Sequence, residues 1–197
     1  MAEFCNVCVH WVTMSELSSE LVHFQLLADY NAWMNVKLYQ AAASLPAAEL
    51  AAERGAFFGS LLGTLNHLVA ADTIWLGRFA RLPAQHSALD PVRAMPAPAG
   101  LTAIYSADLA HLTAQRVRLD AIINTWVAQL EQADLDAVLA YQNTKGVAFQ
   151  RRLSGVLLHF FNHQTHHRGQ ASTLLSQAGV DIGVTDLLAL IPALGPG

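Results

Sequence analysis

Four of the nine histidines fall within nine residues, at positions 159, 163, 166 and 167. Imidazole suits two tasks near neutral pH, proton transfer and the binding of a first-row metal ion. An α-helix turns successive residues apart by about 100°. With His163 set at zero, the apolar residues Val156, Leu174, Phe160, Leu153, Ala171, Leu157 and Leu175 spread from about 20° to about 120°, and the core face centres near about 60–70°. His167 lies at about 40°, inside that face, and His163 at its edge, whereas His159 and His166 fall outside it at about −40° and −60°. His163 and His167 therefore point inward together, one turn apart. Such an i, i+4 pair can grip one metal ion, as in H-x-x-x-H zinc helices.

Two ligands hold a metal poorly, so a third must come from another helix. His67 is the candidate, because it lies mid-helix in the apolar stretch LLGTLNHLVAADTIWL with Thr64, Ala71 and Ile74 on its side. A ring buried there needs partners for its nitrogens, and a hydrogen-bonded core histidine is the alternative to a ligand. His10, His23, His86 and His111 lack such support and are expected at the surface or in the tail. Tyr30, Asn31 and Trp33 are placed to line the mouth of the site from the first helix. Asp72 is a candidate to orient a group or take a proton. Each has a plainer reading: Tyr30 in the core stripe, Asn31 and Asp72 on a solvated face, Trp33 as packing. His166 is expected in support of the ligands or at an interface, and Arg168 and Gln170 as ties between helices or subunits. No residue is assigned as catalytic.

Four long helices must carry these side chains. The first is predicted from about Ser15, a capping residue, to Ala43, before Pro46; Leu27, Tyr30, Met34, Leu38 and Ala41 form its apolar stripe. The second runs from about Phe57 to Phe79, with Leu61, Leu65, Leu68, Ile74 and Trp75 inward. Pro83, Pro91, Pro96 and Pro98 then forbid a regular helix, so a long crossover loop spans about 80–100. The third helix is predicted from about Thr102 to Leu130, its stripe of Tyr105, Leu109, Leu112, Leu119, Ile123, Trp126 and Leu130 broken only by Arg116. Ala137–Gln150 reads as a small hairpin around Asn143-Thr144-Lys145-Gly146. The fourth helix spans about Arg151–Gln177 and stops at Gly179. A short last helix precedes Pro192. The fold class is all-α, a four-helix bundle with a hairpin before the fourth helix.

At 197 residues, 53% hydrophobic and 13% charged, the chain is long enough for one domain with a real core. Residues 15–197 are assigned to it, and residues 1–14 to a loose N-terminal extension, Met14 being a possible alternative start. A net charge of −4 with only eleven scattered Lys and Arg leaves no footprint for nucleic acid. No apolar stretch approaches the roughly 20 residues of a membrane span, and no secretory signal is expected. Cys5 and Cys8 form a C-x-x-C without the context of a redox or zinc unit, and free thiols fit a cytoplasmic location. The high apolar content is consistent with a homodimer.

These residues also carry a resemblance. DYNAWMN at 29–35, TLNHLVAADTIWLGR at 64–78, YQNTKG at 141–146 and above all FNHQTHHRGQ at 161–170 resemble the DinB/YfiT-like superfamily of metal-binding four-helix bundles, over about residues 20–192. The resemblance implies a metal triad on His67, His163 and His167, one divalent ion per chain, most commonly zinc or nickel, and a homodimer. Three histidines leave coordination positions open, as catalytic zinc sites do. A metal-dependent enzyme on a small molecule is therefore expected. It would be either a transferase or isomerase using a low-molecular-weight thiol, or a hydrolase. A stress-linked protein that binds metal or ligand without turnover is the alternative.

Overall fold

A computed structural model describes residues 18–84 and 86–195. Cys5, Cys8, His10, Met14 and Ser15 lie outside the described residues. Four long helices dominate: α1 (Ser19–Ala42), α3 (Leu61–Phe79), α5 (Leu109–Ala128) and α7 (Leu153–Gln177). Short helices α2 (Ala47–Ala51), α4 (Asp90–Arg93) and α6 (Gln132–Asp136) and 3-10 turns at Ser87–Leu89 and Leu187–Leu190 fill the connections. A hairpin of β1 (Val138–Gln142) and β2 (Ala148–Arg152) precedes α7. Its strands pair antiparallel in the register Val138↔Arg152 to Gln142↔Ala148. The turn is built as its residues require: the Asn143 side chain accepts from Lys145 and Val147 N–H at 2.9 Å, and Gly146 supplies φ +79°.

Helix α1 packs on α5 and α7, and α3 packs on the same two, so α1 and α3 are diagonal partners in a four-helix bundle. The core between them includes Phe24, Leu38, Leu65, Leu68, Phe79, Leu112, Leu119, Trp126, Leu157 and Phe160. Phe79 stacks on Trp126 at 4.6 Å and meets Phe160 edge-on at 5.6 Å, tying α3, α5 and α7 together. No described helix is long and apolar enough to cross a membrane.

Helix α1 starts at Ser19 rather than about Ser15, and two further helix starts differ from the sequence expectation, each of these for a local reason. The segment before α3 is a tight loop in which Gly55 and Gly59 adopt φ +67° and +75°, so the helix begins at Leu61 rather than Phe57. Ser60 caps it, accepting from Gly63 N–H at 3.0 Å. Helix α5 begins seven residues later than Thr102. Asp108 is its cap, with Ala110 N–H at 2.7 Å. The preceding strip is drawn out along α3 instead, by Asn66. The Asn66 side chain accepts from Tyr105 and Ser106 N–H at 2.7 and 3.0 Å and donates to Ser106 O at 2.9 Å. Tyr105 thus sits outside the helix. The proline-rich crossover also carries one short helix, with Pro91 in its first turn where no N–H bond is forfeited.

Candidate metal centre

His67 projects from the middle of α3, and His163 and His167 from α7 opposite it. Their ligand atoms all lie within 4.8 Å of one another, and among the described residues no other Cys, Asp, Glu or His joins the group. Nε2 of His67 lies 3.3 Å from Nε2 of His163. Two nitrogens on a tetrahedral zinc, each about 2.0–2.1 Å from it, stand about 3.3–3.4 Å apart. The spacing of this pair therefore fits a first-row ion. His159 and His166, which helical phase put off the core face, are exposed.

The backbone prepares each ring. Nδ1 of His67 is 2.8 Å from the Leu101 carbonyl oxygen. A carbonyl only accepts, so Nδ1 carries the proton and Nε2 is left with its lone pair toward the cluster. Asn66, one residue earlier, pins the strip that follows Leu101. Nδ1 of His167 lies 2.8 Å from Gln170 Oε1 and by the same argument donates, which frees its Nε2. The Gln170 amide nitrogen in turn lies 3.1 Å from Nε2 of His166. Gln170 therefore holds the His167 ring rather than joining helices. The Nδ1 of His163 is buried and has no hydrogen-bond partner among the described residues.

Phe58 covers the cluster from the loop before α3. Its ring stacks on His67 at 3.8 Å and 18° and meets His167 edge-on at 5.5 Å. That loop comes close because residue 63 is glycine: a Cβ there would collide with the Phe58 carbonyl oxygen. Burial under this cover lowers the basicity of the rings. The pKa of His67 falls to about 4, from burial first and the neighbouring His167 second, against the pull of Leu101. That of His163 falls to about 3, from burial and then the surrounding histidines, and that of His167 also falls, chiefly by burial. At pH 7 the imidazoles are thus neutral, the form a metal binds.

Asp72 is fully buried, with Oδ2 2.5 Å from Arg116 and Oδ1 accepting from Gln164. It does not lie on a solvated face. Asn31 is buried as well, donating to Asp120 at 3.0 Å and accepting from Arg168. Arg116 also reaches Asp120 at 2.9 Å, to which Asn35 donates at 2.9 Å. These residues form one polar network through all four long helices, and Arg168 serves in it as a tie from α7 to α1. Burial pushes the Asp72 carboxyl up to about 6, with Arg116 pulling against it. Burial also opposes the Arg116 charge, but Asp120 and Asp72 hold its pKa above the ordinary value.

Tyr30 is half-buried and donates to Thr185 O at 2.7 Å, under the Arg168 guanidinium. Trp33 packs against Tyr30 at 6.1 Å with Lys37 over its ring. His86, expected at the surface, is half-buried with Nε2 3.4 Å from Asp134. Sequence reasoning passed over Phe58, Asn66, Leu101 and the role of Gln170. Only Gln170 left a signal, its i+3 spacing from His167.

A protein-family model described as "DinB family" matches residues 14–193. The chain is 26% identical over 160 residues to "Protein DinB" of Bacillus subtilis (strain 168), an alignment covering 81% of this chain and 88% of that relative. No solved structure matches it.

Proposed function

Because the chain belongs to the DinB family, we propose that it is a metal-dependent enzyme acting on a small molecule, of the thiol-dependent transferase or isomerase type. One divalent ion per chain, zinc or nickel, would be held by His67, His163 and His167. The observation that carries this reading is the meeting of three imidazoles from two helices without a fourth protein ligand among the described residues. Three-ligand sites are the pattern of catalytic rather than structural zinc. A bound ion would supply Lewis acidity toward a thiol sulfur.

The chain's own residues do the rest. Leu101 and Gln170 orient two of the rings, and Phe58 excludes water from one side of the cluster. A hydrolase is less well supported, since it needs a base for water and Asp72 is committed to Arg116 and Gln164. The burial of His67 and His167, 3% and 8% exposed, favours a second reading, a protein that holds metal or ligand without turnover. A homodimer is part of the proposal, and light scattering should return twice the chain mass of 21.3 kDa.

The test is titration of the cobalt-loaded protein with bacillithiol, mycothiol, glutathione and coenzyme A. A sulfur-to-cobalt charge-transfer band with one of them is expected. Cobalt bound stoichiometrically with no band from any thiol would overturn the transferase reading and leave the binding protein standing.

A further inference from the structure

A second feature lies one turn along α7 from the histidine cluster. A cavity of about 660 Å³ opens between α3, the hairpin and α7, walled by Trp75, Tyr141, Arg151, Arg152, Val156 and His159. Small-molecule sites typically span about 300–1,000 Å³. Its walls combine aromatic surface with positive charge. Trp75 meets Tyr141 at 5.3 Å and 62°, and His159 at 5.3 Å and 64°. Arg78 backs the aromatic wall, 4.4 Å from the Trp75 ring centre and 4.9 Å from that of Tyr141. Arg151 lies 5.3 Å over Phe149 and also lines the cavity.

The charges are unbalanced. Among the described residues no carboxylate lines the cavity. Of its guanidiniums only Arg152 has an acidic partner, Asp136 at 3.4 Å on the exposed surface. Neither Arg78 nor Arg151 forms an ion pair among the described residues. In a chain of net charge −4 with eleven Lys and Arg, Arg151 on the cavity wall and Arg78 behind it make a local positive field that no carboxylate among the described residues pairs. Arginine is the side chain best matched to a planar oxyanion, and aromatic faces beside it accept a flat body.

We infer that this cavity is a binding site for a small organic anion, a carboxylate or phosphate carried on a flat, ring-sized body, with Arg151 as its main charged contact and Trp75 and Tyr141 as its stacking wall. His159 borders the cavity, and its ring centre lies 5.9 Å from that of His163. That this ligand is also the substrate of the metal centre rests on the proposed function; the anion site itself does not.

Metal-free protein provides the test, so that failure of the metal reading, seen separately in metal content, leaves the result untouched. The probes are 2-naphthoate, 2-naphthyl phosphate and the neutral 2-naphthamide, followed by the Trp75 indole N–H resonance. One of the two anions is expected to bind at least tenfold more tightly than the amide and to shift that resonance; the tighter one identifies the oxyanion. Arg151→Gln, an exposed position whose loss leaves the core intact, should weaken the anion at least tenfold and the amide less than twofold. Equal binding of anion and amide, an unmoved Trp75 resonance, or an unchanged anion affinity in Arg151→Gln would each overturn the inference.

Discussion

Replacing Arg116 by Met removes the cation that sits between Asp72 Oδ2 at 2.5 Å and Asp120 Oδ1 at 2.9 Å. All three side chains are buried, and Asp72 is fully so. Two carboxylates are then left in the bundle with Arg168 as the only other buried cation described. Breaking a buried ion pair from one side costs about 3–5 kcal/mol, because the remaining charge keeps its desolvation penalty and loses its partner. For a chain of this size each kcal/mol moves the melting temperature by about 2–4 °C, so a fall of roughly 6–20 °C is expected. The sign with pH is equally specific. Arg116 is what holds the Asp72 pKa down to about 6 against burial. Without it the folded-state pKa rises further above the unfolded value, so the deficit of the variant should shrink as the pH falls below that raised pKa. Urea unfolding of wild type and Arg116→Met at pH 7.5 and 5.5 measures both effects. A deficit under about 1 kcal/mol at pH 7.5, the range of an exposed pair, would refute the argument that this network is desolvated and locks the four helices.

The remaining predictions concern the metal centre. Zinc at about a hundredfold over its Kd should stabilise the protein by about 2.7 kcal/mol, a rise in melting temperature of roughly 5–11 °C; the double variant His163→Ala, His167→Ala should show no rise and no bound metal by elemental analysis. The metal-free protein should lose stability as the pH falls below about 6.5, the unfolded-state value for histidine. His67 and His163 refuse a proton until about 4 and about 3, so the unfolded chain gains protons first. Asp72 acts in the opposite direction below about 6, and comparison with His67→Ala, which keeps Asp72, isolates the histidine part as a shallower acid limb. Gly63→Ala should displace the loop that carries Phe58, because the new Cβ meets the Phe58 carbonyl. A melting temperature lowered by several degrees and a weaker zinc affinity are expected, and an unchanged affinity would separate the loop from the site.

Much of this was legible before the fold was known, wherever one helix sufficed to decide it. The phase of α7 separates His163 and His167 from His159 and His166 because helical rotation is a property of the backbone alone. The hairpin around Asn143–Gly146 is local in the same sense, since one side chain and one positive φ define its turn. Features that depend on what arrives from elsewhere in the chain were not legible. Asp72 and Asn31 sit at positions that suit a solvated face, and only packing against α5 and α7 makes them buried partners of Arg116, Asp120, Gln164 and Arg168. The late start of α5 follows from Asn66, 39 and 40 residues away along the chain, whose amide outcompetes a helical turn for the backbone at 105–106. The sequence by itself determined which histidines can converge, because their types and spacing on two helices are covalent facts. The tertiary structure alone decided which nitrogen His67 presents. That choice is made by the Leu101 carbonyl, brought in from a distant part of the chain, and a hydrogen bond to Nδ1 leaves only Nε2 free to bind; His167 takes the same kind of partner from Gln170 on its own helix.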